Sequence, residues 1–312
     1  MNDGEVGIGA AAYPAKAACA GCKTSKPLKT QITMAFQPIV DIASGSVFAY
    51  EALVRGIAGQ SAAEVIASVE PDVIYKFDQT CRVKAIELAG GLFAPDSATK
   101  LSINFMPNAV YEPNACIRAS LAAARRVGFD PARLMFEFTE DERMRDVTHV
   151  RRIIEAYRAR GFTTAIDDVG AGYAGLGLLA DLRPDMLKLD MALIRGIDSS
   201  MARQTIVAGV ARMAEALGIG CIAEGIETAA ELQTLKTIGI RLAQGYLLGR
   251  PAIEALPPSY LVPPRGVLAL EDARSTLNRA WPWSAAVPEA SAARVLPAAP
   301  SEPLPVLSAL RP

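Results

Sequence analysis

Two kinds of hydrophobic pattern alternate along the chain between residues 33 and 244. Short apolar segments, typical of buried strands, are separated by longer ones whose apolar residues recur every three or four positions, as in amphipathic helices. Strands are predicted at 33–39, 47–53, 100–105, 133–138, 162–167, 185–189, 219–223 and 241–244, and helices at 78–91, 114–126, 146–160, 201–217 and 228–237. This alternation predicts an α/β fold with a parallel sheet, and the number of strands favours a closed TIM-like (β/α)8 barrel.

The connection between the first two predicted strands departs from this pattern. Residues 40–46 alone join them, whereas a parallel crossover needs about a dozen residues or more. These two strands are therefore predicted to form an antiparallel hairpin. The predicted fold class is α/β, a TIM-like barrel with the first strand antiparallel.

The predicted helix at 201–217 has the clearest apolar face. Its apolar side chains at helical spacing are those of Ile206, Val207, Val210, Met213, Ala214 and Leu217. We expect this face to pack on the barrel. Gly218 follows at a position that suits the left-handed end of a helix.

The segments on either side of the barrel have a different composition. Residues 1–30 are rich in Gly, Ala, Lys and Ser, and Pro residues accumulate from residue 257 onward. We predict a flexible N-terminal segment (1–30), a barrel domain (31–256) and a largely flexible C-terminal tail (257–312), with a short helix possible at 268–278. Cys19 and Cys22 have the spacing of half a zinc site, although incidental thiols in a flexible segment are the alternative. Trp281-Pro-Trp283 suits either partner docking or packing back on the barrel.

Composition and charge exclude several classes of protein. Hydrophobic residues make up 51% of the 312 residues, which excludes wholesale disorder. Lys and Arg number 32 against 33 Asp and Glu, so no net charge attracts a nucleic-acid polymer or an anionic membrane. No apolar run reaches the roughly 18 residues of a spanning helix, and Asp3 and Glu5 stand where a signal peptide carries basic residues. We predict a cytoplasmic protein without a membrane segment or a disulfide framework, in which Cys81, Cys116 and Cys221 are buried thiols.

Polar residues recur late in the predicted strands, just before a glycine or a loop. They are Glu51, Asn104, Glu137, Glu140, Asp167, Asp168, Lys188, Glu224 and Gln244. In a barrel, the carboxyl ends of the strands form one mouth, which is where the active sites of this architecture lie. A single acidic residue at such a position is more often a helix cap or a loop charge, and Lys188 alone could be a structural ion-pair partner. Their joint placement on successive strands makes coincidence a poor explanation.

Several carboxylates that converge on one mouth repel each other unless a cation compensates their charge. The set offers oxygen ligands without a cluster of His or Cys, which favours Mg²⁺ or Mn²⁺ over Zn²⁺. The single histidine, His149, falls in a predicted helix and is interpreted as a surface residue.

The order of these motifs resembles that of the EAL-domain cyclic-di-GMP phosphodiesterases. The motifs are Gln37-Pro-Ile-Val-Asp41, Glu51-Ala-Leu53-Val-Arg55, Ile103-Asn104, Glu137-x-x-Glu140, Asp167-Asp168-x-Gly170, Lys188-Leu-Asp190, Ala223-Glu224-Gly-Ile-Glu227 and Gln244-Gly-Tyr246. The tripeptide Glu-Ala-Leu also begins at residues 215 and 254, but only Glu51 lies on a predicted strand with the flanking pattern. The resemblance covers residues 32–253, which is essentially the whole predicted barrel.

The resemblance implies a barrel with its first strand reversed, two Mg²⁺ or Mn²⁺ ions and hydrolysis of cyclic di-GMP to linear pGpG. It implies metal ligation by Glu51, Asn104, Glu137, Asp167 and Asp168, catalytic roles for Lys188, Glu224 and Gln244, and substrate contacts by Gln37, Leu53, Arg55 and Asp190. Glu140 resembles the residue that anchors the loop after Asp168. The family also implies a homodimer, and the terminal segments are candidates for binding a protein partner.

The loop after Asp168 departs from the family pattern. Val169 replaces a common Phe, and Ala174-Gly175 replace two hydroxyl residues. These changes remove hydrogen-bonding groups and add backbone freedom. They keep open a second interpretation, in which the protein is a cyclic-di-GMP receptor with weak turnover that signals through a partner. A general phosphodiesterase or nuclease is disfavoured because a basic groove is not indicated.

Overall fold

The computed structural model describes residues 28–106, 116–139, 147–170 and 177–260. Within these residues the strands are β1 (Ile32–Asp41), β2 (Val47–Gly56), β3 (Lys100–Asn104), β4 (Leu134–Thr139), β5 (Thr163–Val169), β6 (Met186–Leu189), β7 (Gly220–Ala223), β8 (Leu242–Ala243) and β9 (Ala252–Ile253). The helices are α1 (Ala62–Ala67), α2 (Ile74–Leu92), α3 (Arg118–Val127), α4 (Val147–Arg158), α5 (Gly177–Leu182), α6 (Met191–Ile194), α7 (Met201–Ala216) and α8 (Ala229–Ile238). Cys19, Cys22, Glu140, Ala174, Gly175, the segment 268–278 and Trp281–Trp283 lie outside the described residues, so the predictions made for them stay predictions.

The strands close into a barrel in the order β2-β3-β4-β5-β6-β7-β8-β1. Strands β2 to β8 run parallel to their neighbours, whereas β1 is antiparallel to both β2 and β8. The predicted TIM-like barrel with a reversed first strand is therefore confirmed. The hairpin brings Gln37 of β1 directly opposite Glu51 of β2, which sets two of the candidate site residues side by side.

Aromatic side chains fill much of the layer between the strands and the helices. The ring of Phe136 on β4 lies 5.0 Å from Tyr157, 5.4 Å from Phe162 and 6.0 Å from Phe105, measured between ring centroids. These rings are buried and meet edge to face or tilted, which are favourable arrangements for aromatic pairs. Inside the barrel, a separate and smaller apolar cluster lies two residues along the strands from the inward-facing polar groups. Its members are Ile39, Ala49, Met135, Ala165, Met186 and Ile222.

Local signals in the sequence explain where α8 begins and ends. The Thr228 hydroxyl accepts a hydrogen bond from the backbone of Glu231, whose carboxylate accepts one from the backbone of Thr228. This reciprocal cap satisfies amide groups that the first helical turn leaves free. At the other end, Gly239 adopts a left-handed conformation with φ of 100°.

The structure corrects the predicted packing of α7. The helix forms as expected, and Gly218 adopts a positive φ of 71°. Of the face predicted to be buried, however, only Val207 and Ala214 are buried, while Ile206 and Leu217 are about half exposed. The helix therefore packs on the core through Val207 and Ala214, with partly buried Val210 and Met213 beside them, and leaves the rest of the predicted face open.

Short elements escaped prediction because they carry little periodicity. The six-residue helices α1 and α5, the single turn of α6 and the two-residue strand β9 were not predicted. Strand β9 pairs with Ala35 and Phe36 on the edge of β1 that also holds β8. It thereby secures the chain that leaves the barrel.

The cysteines of the described residues occupy apolar surroundings. Cys116 is buried, whereas Cys81 and Cys221 are half-buried. Burial raises the pKa of the Cys221 thiol to about 11. Burial also raises the pKa of the Cys81 thiol, so Cys81 and Cys221 are protonated at neutral pH. The predicted buried thiol is confirmed for Cys116, whereas Cys81 and Cys221 are less buried than the sequence predicts.

Across the described ranges, none of the helices combines the length and the hydropathy needed to cross a bilayer.

Candidate functional site

The ammonium group of Lys188 lies at the centre of the acidic residues inside the barrel. Its Nζ is 2.6 Å from Glu224 Oε1, 2.9 Å from Glu137 Oε2 and 3.1 Å from Asp167 Oδ1. A fourth carboxylate, that of Glu51, lies 3.6 Å away. The Lys188 side chain is only 1% exposed, because β6 is buried on both faces and directs this residue inward. We call Lys188 and these four carboxylates the acidic centre.

Two side-chain amides hold the carboxylate of Glu51. Asn104 Nδ2 donates to Glu51 Oε1 at 2.9 Å, and Gln244 Nε2 donates to Oε2 at 2.8 Å. Gln244 Nε2 also lies 3.3 Å from Gln37 Oε1, and Gln37 Nε2 donates to the carbonyl of Gly249 at 3.1 Å. Residues from β1, β2, β3 and the end of β8 thus fix this carboxylate in one orientation.

Asp167 and Asp168 are consecutive, so a regular strand would direct their side chains to opposite faces. Here the pairing between β5 and β6 shifts between Ile166 and Val169, and Asp168 has a positive φ of 59°. This left-handed backbone is uncommon for a residue other than glycine, although Asp adopts it more readily than most. The result is that oxygens of Asp167, Asp168 and Glu224 all lie within 4.8 Å of one another.

A close backbone approach fixes the positions of Glu224 and Gln244, which follow β7 and β8. The amide of Gln244 donates to the Ala223 carbonyl at 2.8 Å, and the Gln244 carbonyl accepts from Ile226 at 3.2 Å. A Cβ atom on Gly245 would lie only 2.2 Å from the carbonyl oxygen of Ile226. Only glycine fits there, so the sequence Gln-Gly after β8 is required by this packing.

Burial dominates the electrostatics of the acidic centre. It raises the pKa of Glu137 to about 8, although the charge on Lys188 opposes the shift. It also raises the pKa values of Asp167 and Glu224, again against Lys188. Burial alone would lower the pKa of Lys188, but the surrounding carboxylates outweigh it and hold that pKa well above its usual value. Lys188 is therefore charged, and the four carboxylates share its single positive charge. In the absence of a metal ion, protons held on carboxylates such as Glu137 offset their remaining repulsion.

The residues of the acidic centre fit divalent cations. Together with the neighbouring Asp168, their oxygens form two groups within 4.8 Å, Glu51 with Glu137 and Asp167, and Asp167 with Asp168 and Glu224. Asp167 belongs to both groups. Gln244 Oε1 is buried without a donor among the described residues, so it is available to a bound water. Carboxylate and amide oxygens are the ligands that hard divalent cations prefer.

A cleft of about 240 Å³ opens above the acidic centre. The predicted site residues that line it are Gln37, Glu51, Asp167, Asp168, Lys188, Asp190, Glu224 and Gln244. Asp190 also caps α6, because its Oδ1 accepts from the backbone of Ala192 at 2.8 Å. Four of these eight residues, Glu51, Asp167, Lys188 and Glu224, are members of the acidic centre defined above, so the cleft leads directly to it.

The rim of the cleft contains residues to which the sequence assigned no role. Arg195 forms an ion pair with Glu227, and the guanidinium of Arg250 lies 4.3 Å from the centroid of the Tyr246 ring. Arg195, Glu227, Tyr246 and Met191 line the cleft. Glu227 and Tyr246 lie at the ends of two of the sequence motifs given above. Their closeness to Glu224 and Gln244 in the sequence could have identified them as residues of the cleft.

Leu53 and Arg55 do not line this cleft. Arg55 Nη1 donates to the neighbouring carbonyl of Val54 at 2.7 Å. Leu53 instead lines a second, mainly apolar cavity of about 480 Å³ between strands β1 to β3 and helices α1 and α2. Asn104 lines this cavity too, and its amide reaches Glu51 in the acidic centre. Asn104 therefore lies between this cavity and the acidic centre.

Ser102 is a buried polar contact that sequence reasoning missed. Its hydroxyl donates to Glu137 Oε1, and both residues have 0% exposure. Ser102 precedes Asn104 by two residues, so strand periodicity places both on the inner face of β3. That spacing could have identified it.

Comparison with known proteins gives the site a family context. A sequence profile of the EAL domain matches residues 25–251. The chain belongs to the EAL-domain family. This EAL domain is 31% identical over 224 residues to the blue light- and temperature-regulated antirepressor BluF of Escherichia coli, covering 72% of this chain and 55% of BluF. It is 30% identical over 237 residues to the cyclic di-GMP phosphodiesterase NbdA of Pseudomonas aeruginosa, covering 71% of this chain and 29% of NbdA. The chain thus matches about half, or less, of the length of these relatives.

Solved EAL structures resemble the barrel closely. A standalone EAL protein from Vibrio cholerae O395 in its c-di-GMP-bound form has a TM-score of 0.71 and 49% identity, covering 75% of this chain and 97% of that one. Klebsiella pneumoniae BlrP1 in a complex with manganese and cyclic di-GMP has a TM-score of 0.66 and 39% identity, covering 72% of this chain and 56% of BlrP1. Both of these EAL proteins were therefore solved with cyclic di-GMP, and BlrP1 also with manganese.

Proposed function

We propose that this EAL domain hydrolyses cyclic di-GMP to linear pGpG with Mg²⁺ or Mn²⁺. The observation that carries the proposal is the acidic centre, in which one buried lysine faces four carboxylates below an open cleft. The EAL protein NbdA bears the name of this activity, and the Vibrio cholerae neighbour was solved with c-di-GMP bound. The two oxygen groups that share Asp167 support two cations, with Asn104 completing the predicted ligand set.

In the proposed reaction, a water oxygen bonds to phosphorus while the bond from phosphorus to a ribose 3′ oxygen breaks. The 3′ oxygen leaves with the bonding electron pair and takes up a proton from solvent, which yields the free hydroxyl of pGpG. Lys188 stabilises the negative charge that develops on the attacking oxygen. Glu224, whose carboxylate lies nearest to Lys188, accepts the proton that the water loses. Gln244 Oε1, buried without a donor among the described residues, orients the water. Divalent cations, when bound, supply positive charge that lowers the pKa of water and offsets the charge of the phosphate.

We further propose that the apolar cavity lined by Leu53 takes one guanine base. Asn104 lies between the cavity and the acidic centre, so a base in the cavity would leave the adjoining phosphate near the carboxylates. Gln37 and Asp190 line the cleft, on the side where the rest of the substrate would lie. Arg55 needs only to exchange its bond to the Val54 carbonyl for one to a phosphate.

The test is hydrolysis by the purified protein with Mg²⁺, Mn²⁺ or EDTA, followed by nucleotide chromatography. We expect pGpG only when a divalent cation is present. Glu51→Gln keeps the size of the side chain but removes a central carboxylate, so it should abolish turnover while circular dichroism stays unchanged. Full activity of this variant would overturn the assignment.

A cyclic-di-GMP receptor is the second candidate. BluF, a relative at 31% identity, is named an antirepressor, and the altered loop after Asp168 favours weak turnover. Binding of cyclic di-GMP without any product in the same assay would support this role. Homodimerisation and partner binding through the terminal segments also stay proposals, and light scattering of the full chain would test the first.

A further inference from the structure

Strand β3 places two polar side chains on the inner face of the barrel, and each donates to a different carboxylate. Asn104 donates to Glu51, as described above, and Ser102 donates to Glu137. Ser102 itself is assigned no role by the family motifs. Its hydroxyl is completely buried, as is the carboxylate that it contacts.

Each oxygen of the Glu137 carboxylate accepts a hydrogen bond from one side chain. Ser102 Oγ donates to Oε1, and Lys188 Nζ donates to Oε2 at 2.9 Å. Lys188 is shared with three further carboxylates, so its hold on Glu137 is not exclusive. Ser102, by contrast, donates to Glu137 and, among the described side chains, to no other carboxylate of the acidic centre.

Loss of this hydroxyl would leave Glu137 Oε1 buried without a donor. The carboxylate could then turn about its terminal bond and present its oxygens differently to the centre. Hydrogen-bond partners of metal-ligating carboxylates commonly change metal affinity by 10- to 100-fold when they are removed.

We propose that Ser102 is a positioning residue, which orients Glu137 toward a divalent cation in the acidic centre. The proposal rests on the proposed function only in assuming that Glu137 ligates a cation. It adds a buried residue that acts through Glu137 and does not touch the substrate.

The test is calorimetric titration of the nucleotide-free protein with Mn²⁺. Ser102→Ala should bind Mn²⁺ about 10- to 100-fold more weakly than the unmodified chain. Ser102→Cys, similar in size but a poor donor, should show a loss of the same order, so the test holds even if one variant does not fold. Ser120→Ala is the matched control, because Ser120 is also completely buried but its hydroxyl has no partner in the described ranges.

We expect Ser120→Ala to bind Mn²⁺ within about twofold of the unmodified chain, and thermal unfolding in EDTA will show which variants fold. Hydrolysis measured against Mn²⁺ concentration should shift to higher Mn²⁺ in Ser102→Ala, with most of kcat recovered at saturation. Binding by a folded Ser102 variant within twofold of the unmodified chain would overturn the proposal, as would an unmodified chain that binds no Mn²⁺. Tight Mn²⁺ binding without hydrolysis would instead overturn the proposed function and leave the role of Ser102 standing.

Discussion

The protein contains two buried clusters of charge that differ in their balance. Between the barrel wall and α2, Asp78 and Arg82 form a one-to-one ion pair at 2.8 Å, with side chains 4% and 3% exposed. Asp78 also accepts a hydrogen bond from the backbone of Met106. In the acidic centre, by contrast, one ammonium faces four carboxylates.

This difference separates a structural pair from a binding site. Burial raises the pKa of Asp78, yet its partner Arg82 matches its charge, so the pair needs no further ion. When its four carboxylates are all ionised, the acidic centre carries an excess of negative charge that Lys188 alone cannot neutralise. Such an excess lowers the stability of the folded state unless the carboxylates hold protons or a cation binds. The imbalance of charge therefore favours cation binding at this site.

Removing the positively charged side chain from each cluster should have the largest effect on stability. Lys188→Met and Arg82→Met should each lower the free energy of unfolding in EDTA by about 3–5 kcal/mol, because each leaves carboxylates unpaired in the interior. With saturating Mn²⁺, the free energy of unfolding of Lys188→Met should move closer to that of the unmodified protein. The gap between Arg82→Met and the unmodified protein should stay the same. Urea unfolding with and without Mn²⁺ measures this. Equal responses of the two variants to Mn²⁺ would show that the comparison is wrong.

Cation binding itself should give the next largest effect. Mn²⁺ at one hundred times its dissociation constant should raise the free energy of unfolding by about 2.7 kcal/mol, since the ion binds only the folded state. Thermal unfolding against Mn²⁺ concentration checks this, and Glu51→Gln should lose most of the gain. An unchanged midpoint in the unmodified protein would contradict the prediction.

A pH dependence of the metal-free protein sharpens the comparison further. Glu137 titrates at about 8 in the folded protein and at 4.5 otherwise, so between these values the folded state keeps a proton that the unfolded chain has lost. The stability present below pH 4.5 is therefore lost as the pH rises toward 8, by up to about 1.4 kcal/mol per pH unit for each such carboxyl. Urea unfolding in EDTA at a series of pH values should show this slope. Glu137→Gln should flatten it, and an equally steep slope in that variant would exclude Glu137 as its source.

The smallest effect on stability is expected at the rim. The ion pair of Arg195 with Glu227 has side chains 50% and 41% exposed, and that of Arg126 with Glu87 has 57% and 40%. Arg195→Ala and Arg126→Ala should each change the free energy of unfolding by less than about 1 kcal/mol. Only Arg195→Ala should change KM for cyclic di-GMP, because Arg195 lines the cleft. Steady-state kinetics of both variants decides this, and a matching change in Arg126→Ala would argue against a role for the rim.

The sequence predicts the barrel well because its constraints are local. The seven residues 40–46 cannot cross from one parallel strand to the next, so the reversal of β1 follows from loop length alone. Strand β9 could not be predicted, because Ala252 and Ile253 pair with residues more than 200 positions earlier. The packing of α7 was wrong in part because helical periodicity identifies an apolar face but does not say how much of it a neighbour covers.

The site was predictable where a strand end fixes the direction of a side chain. Gln37 and Glu51 share a register, and Lys188 lies on a strand that is buried on both faces. The surroundings of Leu53 and Arg55 were harder to predict from the sequence, because they depend on the placement of α1 and on side-chain rotamers. The convergence of Asp167 and Asp168 depends on an irregular pairing and a positive φ, which strand periodicity does not encode.

The reversal of β1 has a consequence for how this domain can be joined to others. Ile32 pairs with Gly56, at the carboxyl end of β2, so the first strand starts at the mouth that holds the cleft above the acidic centre. A barrel whose first strand ran parallel would begin at the opposite pole. The chain therefore enters the barrel at the same mouth as the cleft, and a change in how residue 32 is held would act on the cleft side of the barrel first.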